Sequence, residues 1–153
     1  MSGFQGSASA RIAAEPGAIF AVITDLQRLP EWNDAIERVI EVPSALTDGA
    51  EWVVTLHPAR GMKWNSRTRL VKLDPVHYRF SYRSGTDDDN PSYALWHWDV
   101  SPATSGSEVT VKWDAHPETI GRRLLAAPMR RRMLEREVAN SLDALSNLIT
   151  KSS

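Results

Sequence analysis

Apolar and polar residues alternate along the middle of the chain with the two-residue period of β-strands. The residues that share the apolar side carry several aromatic rings, and Asp48-Gly49, His57-Pro58, Asp74-Pro75 and Ser105-Gly106 separate the segments as turns. This alternation predicts antiparallel strands with one buried face. Ile36–Val42 is the first of these predicted strands. In the strands that follow, the residues predicted to face inward are Trp52, Val54, Leu56; Met62, Trp64, Ser66, Thr68, Leu70; Tyr78, Phe80, Tyr82; Ala94, Trp96, Trp98, Val100; and Val109, Val111, Trp113, Ala115.

A helical pattern replaces the alternation after position 117. Apolar residues recur there at three- and four-residue spacing, which predicts one long amphipathic helix with a single buried stripe. Pro128 predicts a kink or a restart, with Thr119–Ala127 as a separately angled segment. The residues of the stripe are Leu134, Val138, Leu142, Leu145 and Ile149.

The start of the chain also has a helical signature. Glu15 and Pro16 suit the first turn of a helix, and an apolar stripe follows at Ile19, Phe20, Ile23 and Leu26. Pro30 disfavours helix at the residue before it, so we expect the helix to break at Leu29-Pro30. Trp32 either plugs one end of the sheet or lines a pocket.

The stretch from Ile12 to Asn33, with its Pro-initiated helix and the sequence Leu29-Pro30-Glu31-Trp32, resembles the opening of a START-like (SRPBCC or Bet v 1-like) polyketide cyclase/dehydrase domain. The resemblance implies an α+β helix-grip fold: a curved antiparallel sheet wrapped around a long C-terminal helix, with two short N-terminal helices and an apolar cavity. The order of patterns along the chain agrees with this fold. We expect one domain over residues 1–153, with flexible ends at 1–6 and 150–153.

Composition narrows the class of protein. The chain has 153 residues and 42% hydrophobic content, enough for one domain with a sizeable core. It has no apolar run of about 20 residues and no secretory signal pattern, so we expect a cytoplasmic protein without stable membrane insertion. A formal net charge of -1 provides no general attraction to nucleic acid. We expect a monomer or a weak homodimer.

Six Trp residues and no Cys distinguish the composition. Trp is large and rigid, so such a number either fills a core or lines a cavity for a flat apolar ligand. We predict that aromatic, hydroxyl and methionine side chains of the sheet and C-terminal helix contact the ligand. These candidates are Trp32, Trp52, Trp64, Ser66, Thr68, Tyr78, Tyr82, Trp96, Trp98, Trp113, Met129 and Met133.

The segment from Trp64 to Arg69 is the closest to catalytic chemistry. Aromatase/cyclases of the family that the chain resembles place a Trp-x-Ser-x-Arg series on one strand face. Trp64 and Ser66 match that series, but Thr68 occupies the next inward position. Arg67 and Arg69 have the opposite parity, so we expect both to point to solvent unless a bulge changes the register.

Other polar residues favour structural interpretations. The histidines at positions 57, 77, 97 and 116 are scattered, and we expect each on the surface or at a strand end. No spacing of His, Asp or Glu indicates a metal site, and we expect no metal or cofactor. Asp87-Asp88-Asp89 fits a solvated loop within 84–91, and the arginines at 122, 123, 130–132 and 136 fit a solvated helix face, although that face could receive an anionic ligand or partner.

Three functional hypotheses remain at this point. The first is binding or carriage of a lipid-like, polyketide-like or aromatic small molecule in an internal cavity. The second is a cofactor-free cyclase, aromatase or dehydratase in which positioning supplies the rate and Ser66 or Tyr82 relays a proton. The third is a protein-interaction or toxin-like regulatory module. The sequence indicates no inward ionisable side chain, and this favours binding.

Overall fold

The computed structural model describes residues 4–86, 92–116 and 127–151. Its elements are β1 (Phe4–Ile12), α1 (Pro16–Ile23), a 3-10 turn (Leu26–Arg28), α2 (Leu29–Trp32), β2 (Ile36–Glu41), β3 (Glu51–Ala59), β4 (Met62–Asp74), β5 (Arg79–Thr86), β6 (Tyr93–Ala103), β7 (Gly106–His116) and α3 (Ala127–Lys151). No helix in these ranges is long and apolar enough to cross a bilayer.

The strands form one seven-stranded antiparallel sheet in the order β1-β7-β6-β5-β4-β3-β2. The first two strands of the chain therefore lie at opposite edges, and α1 and α2 connect them. Register shifts interrupt the pairing of β2 with β3, of β3 with β4, and of β4 with β5. Because bulges bend and twist strands, these shifts allow the sheet to curve around a helix.

The apolar stripe of α3 packs inside this sheet as the sequence predicts. Leu134, Val138, Leu142, Leu145 and Ile149 are all buried, and they belong to one cluster with the inner residues of the strands. The helix contacts β1 and α2. Sheet, long helix and two short helices together confirm the α+β helix-grip architecture.

The N-terminal helices differ in detail from the prediction. α1 starts at Pro16 as expected, but it ends at Ile23, where the Thr24 hydroxyl donates a 2.8 Å hydrogen bond to the Phe20 carbonyl. The predicted break at Leu29-Pro30 is wrong, because Pro30 lies in the first turn of α2. Proline tolerates that position, where its missing N–H would have no partner.

Strand boundaries also differ from the sequence pattern. β1 begins at Phe4 and pairs with β7, and α3 continues to Lys151, so both elements extend into the ends that we expected to be flexible. His57 and Pro58 lie within β3, and the turn falls at 60–61. Ser84 and Thr86 belong to β5 and not to a loop. The proposed segment Thr119–Ala127 and the run Asp87-Asp88-Asp89 lie outside the described residues, apart from Ala127 itself.

Candidate ligand cavity

A cavity of about 430 Å³ lies between the middle of the sheet and α3. Its size is within the range of small-molecule sites. Side chains from α1, α2, β2 to β7 and α3 line it, and most of the lining is apolar. The cavity is therefore part of the space that the sheet and the long helix enclose.

The sheet register explains why space remains there. Thr68 pairs with Ser84, Ser84 with Ala94, and Ala94 with Ala115, so four small residues form a continuous row across β4 to β7. All four line the cavity. We call them the small-residue row. Small side chains leave the space between sheet and helix unfilled, which opens the cavity at this level of the sheet.

The next row along the strands consists of large residues. Leu70 pairs with Tyr82, Tyr82 with Trp96, and Trp96 with Trp113. We call the three ring-bearing residues Tyr82, Trp96 and Trp113 the aromatic row. Trp113 in turn pairs with Gly6 on β1, where its indole covers the glycine so closely that any Cβ would clash. The side chains of the aromatic row therefore cover the inner face of the sheet beside the small-residue row, and Gly6 leaves space for the indole of Trp113.

Aromatic rings form much of the cavity wall. The rings of Tyr82 and Trp96 are stacked, with centroids 6.4 Å apart and planes 19° apart, and those of Trp52 and Phe80 are stacked at 6.0 Å. Trp52 also meets Tyr82 edge-on at 5.7 Å. Trp32 and Trp98 pack at 5.4 Å in a T-shaped pair, and both line the cavity while being buried. Trp32 therefore serves both the core and the pocket.

Two indole N–H groups in this wall donate hydrogen bonds to hydroxyls of β5. Trp98 Nε1 donates to Tyr82 Oη at 3.0 Å, and Trp96 Nε1 donates to Ser84 Oγ at 3.1 Å. Burial raises the pKa of Tyr82 to about 12, partly offset by the hydrogen bond from Trp98. A group with this pKa stays protonated near neutral pH and is poorly matched to relaying protons there.

The strand β4 contributes the hydroxyls that the sequence predicts. Ser66 and Thr68 are buried and line the cavity, as does Trp64. Arg67 lies on the outer face, where its guanidinium nitrogens approach Glu51 Oε1 at 3.1 Å and Glu41 Oε2 at 3.6 Å. No bulge reverses the parity at this point, so the pocket side of β4 carries Thr68 where the related series has an arginine.

Glu137 is an ionisable residue at the cavity that was not predicted from the sequence. It lines the cavity from α3, and His116 borders the cavity at the end of β7. His116 Nε2 lies 3.1 Å from Asp114 Oδ2, and its ring stacks on Tyr93 at 4.6 Å. His116 alternates with the inward residue Ala115, and Asp114 and Tyr93, which it contacts, lie on the outer face of the sheet, so its imidazole belongs to that face. Ser84, Ser92, Tyr93 and Asn33 are further lining residues that the sequence analysis did not identify.

Three predicted ligand contacts lie elsewhere. Tyr78 occupies the turn between β4 and β5 with a φ of 57°, and its ring packs on Phe20 at 5.5 Å. It is therefore not part of an inward strand face. Trp113 is buried behind Trp96, with ring centroids 5.8 Å apart, and Met133 is half-buried on α3; neither lines the cavity. The side chain of Met129 lies outside the described residues.

The remaining histidines have outer-face or turn positions. His57 Nδ1 lies 3.3 Å from Glu37, His77 Nδ1 lies 2.8 Å from Asp74, and His97 Nδ1 lies 2.9 Å from Ser81 Oγ. Among the described residues, no group of three or more His, Asp or Glu side chains is placed to hold a metal ion.

Comparison with known proteins supports the same family. Residues 4–150 match the model of the family described as polyketide cyclase/dehydrase and lipid transport. No curated protein matches the sequence significantly.

Solved structures with the same fold cover nearly the whole chain. TTHA0849 from Thermus thermophilus is 18% identical with a TM-score of 0.79, over 98% of this chain and 99% of that one. Ara h 8.0201 is 14% identical with a TM-score of 0.76, over 97% and 99%. The Zhui aromatase/cyclase from Streptomyces sp. R1128 is 16% identical with a TM-score of 0.79, over 97% and 94%. At these identities the structures establish a shared fold, and with the family match over residues 4–150 we conclude that the chain belongs to the polyketide cyclase/dehydrase and lipid transport family.

Proposed function

We propose that this protein binds a lipid-like, polyketide-like or aromatic small molecule in the cavity between the sheet and α3. The observation that carries the proposal is the composition of the wall: stacked aromatic rings beside the small-residue row, with a few hydroxyls among them. Small-molecule sites have this combination of a concave apolar surface and a few converging polar groups.

Burial of apolar surface would supply most of the affinity. Each Å² of apolar ligand surface removed from water contributes roughly 25 cal/mol, and association opposes this with its entropic cost. A planar ligand of three or four rings would therefore bind with a dissociation constant on the order of micromolar. Indole rings would contact such a ligand, so their fluorescence should report its binding.

Titration with a hydrophobic fluorophore or a polycyclic phenol tests the proposal. We expect saturable quenching of Trp emission in the unaltered protein. Trp96→Ala and Trp64→Ala should each weaken binding by about tenfold or more, because they remove wall area at the cavity. Arg67→Ala, on the outer face of the same strand as Trp64, is the control and should change binding little.

Two results would contradict the proposal. One is emission that changes only linearly with added ligand. The other is normal binding by both Trp variants together with loss of binding in Arg67→Ala.

A cofactor-free cyclase or dehydratase is the second candidate function. Glu137 places an acid–base group at the cavity, which supports this candidate more than the sequence alone does. Ser66 remains a candidate polar contact for a reacting chain. A change in the mass of a bound poly-β-ketone thioester that Glu137→Gln abolishes, while binding of the thioester persists, would favour catalysis over carriage.

A further inference from the structure

The hydrogen bonds between β6 and β5 follow a diagonal. Trp96 pairs directly with Tyr82, yet its N–H bonds to Ser84, and Trp98 pairs directly with Phe80, yet its N–H bonds to Tyr82. Each indole thus reaches the hydroxyl two residues further along β5 than its direct partner, within the range of diagonal neighbours in a sheet. The Tyr82 and Ser84 hydroxyl oxygens therefore each accept a hydrogen bond from an indole N–H.

These hydrogen bonds leave each hydroxyl with its own hydrogen available to donate. A hydroxyl has one hydrogen to donate and two lone pairs that accept. In Tyr82 and Ser84 the oxygen already accepts from an indole, and this polarises the O–H bond and strengthens it as a donor. Within the described ranges, neither hydroxyl hydrogen has an acceptor.

The two hydroxyls belong to the same wall of the cavity. Tyr82 and Ser84 are two residues apart on β5, share its inner face and line the cavity together. Their Cα atoms are roughly 6 to 7 Å apart at the rise of a β-strand. Thr68 and Ala94, the direct partners of Ser84, are uncharged, so the surroundings of this pair favour a neutral ligand group over an ion.

We propose that the Tyr82 and Ser84 hydroxyls form a donor pair that recognises acceptor oxygens, of the ketone or quinone type, on a planar polycyclic ligand. The stacked rings of Tyr82 and Trp96 supply a flat surface beside the pair, on which such a ligand would pack. Because burial keeps the Tyr82 pKa at about 12, its hydroxyl remains a donor across the physiological range. This inference rests on the proposed binding function and adds the chemical class of the ligand.

A matched pair of tricyclic probes tests the donor pair. Fluorene and 9-fluorenone have the same ring skeleton, and only 9-fluorenone has a carbonyl. Without hydrogen bonds the carbonyl would favour water, so fluorene would bind more tightly. We expect the unaltered protein to reverse this order and to bind 9-fluorenone about tenfold more tightly, as one or two hydrogen bonds allow.

Substitutions at the donor pair should remove the preference for 9-fluorenone over fluorene. In Tyr82→Phe and Ser84→Ala the ratio of the two dissociation constants should fall, and in the double variant fluorene should bind at least as tightly as 9-fluorenone. Ser81→Ala, which removes a hydroxyl from the opposite face of β5, is the control and should retain the preference.

Two outcomes overturn the inference and separate it from the proposed function. If the double variant binds fluorene and keeps the preference for 9-fluorenone, the donor pair does not recognise the carbonyl, although the cavity still binds ligand. If the unaltered protein binds neither probe, both the donor pair and the binding function fail. Should Tyr82→Phe not fold, the ratio in Ser84→Ala against Ser81→Ala decides.

Discussion

Individual side chains at the cavity have two roles, and Tyr82 combines both. Its ring stacks on Trp96 and meets Trp52 and Phe80, so it contributes to the core, while its hydroxyl accepts the N–H of Trp98. By contrast, the indole N–H groups of Trp32 and Trp113 are buried without an acceptor among the described residues. A buried donor without a partner lowers stability, so the hydroxyls of β5 stabilise the indoles that they accept from.

Burial of the Tyr82 hydroxyl makes stability depend on alkaline pH. Unfolded tyrosine ionises near its ordinary pKa of 10.0, whereas folded Tyr82 stays protonated until about pH 12. The unfolded state therefore binds fewer protons in this interval, and the free energy of unfolding should fall as pH rises from about 10 to about 12. Urea unfolding at several pH values should show a shallower decline in Tyr82→Phe than in the unaltered protein. Equal slopes would mean that Tyr82 ionises normally in the folded state.

Two residue-level errors of the sequence analysis have different physical origins. Alternation predicts Tyr78 on an inner strand face, but the turn after Pro75 continues to Tyr78, which adopts a positive φ of 57°. Serine and glycine favour turns in isolation, yet the neighbouring strands β4 and β6 hold Ser84 and Gly85 in β5. Strand partners that are distant in sequence hold Ser84 and Gly85, and the local pattern does not contain them. The turn before Tyr78 is held locally, because Asp74 Oδ1 accepts hydrogen bonds from the backbone N–H groups of Val76 and His77.

At the scale of elements, α3 supplies the helix face that lies opposite the sheet and lines the cavity. Leu134 and Val138 both line the cavity and belong to the buried stripe, and Leu142 and Leu145 continue the stripe beyond the cavity. Glu137 and Ser141, one turn apart, lie beside the stripe and face the same cavity. The helix thus presents a wider face to the cavity than its apolar stripe indicates, which explains why helical periodicity alone did not identify Glu137.

Truncating one residue of the stripe should destabilise the protein. Leu142 is buried, so Leu142→Ala leaves a void that the surroundings fill only in part, and we expect a loss of about 2 to 5 kcal/mol in the free energy of unfolding. Chemical denaturation provides the measurement. Asn140→Ala, at an exposed position of the same helix, should change stability little. An unchanged denaturation midpoint in Leu142→Ala would show that α3 does not pack on the sheet there.

The spacing of apolar residues predicts most of the strands and helices, because inward residues recur every second position in a strand and every third or fourth position in a helix. The inward sets on β4, β6 and β7 are the ones that alternation predicts, and the helix stripe is buried throughout. Their boundaries are less predictable. β3 continues through His57 and Pro58 because the register with β4 shifts there and pairing resumes at Ala59. A bulge tolerates a proline, so a turn-like dipeptide lies within a strand.

For the whole molecule, the cavity results from rows that no single segment contains. Thr68, Ser84, Ala94 and Ala115 come from four different strands, and only the sheet register aligns them. The sequence identified Thr68, Ala94 and Ala115 as inward residues, together with many aromatic wall residues. It did not predict that these small residues lie side by side, because the row crosses four strands and depends on how they pair.

The central claim is that the open volume above the small-residue row is the ligand-binding site. Filling that volume tests the claim most directly. Ala94 lines the cavity at the centre of the row, so Ala94→Phe would occupy the space of a ligand ring with little need to displace packed neighbours. Ala139→Phe makes the same change at an exposed position of α3 and is the matched control.

Calorimetric titration of both variants with 9-fluorenone or a comparable polycyclic ligand is the decisive measurement, with circular dichroism and thermal unfolding to verify that each variant folds. The account predicts that Ala94→Phe stays folded and loses binding by at least about tenfold, whereas Ala139→Phe binds like the unaltered protein. A folded Ala94→Phe variant that binds with unchanged affinity would contradict it, because the ligand would then lie outside the cavity between the sheet and α3.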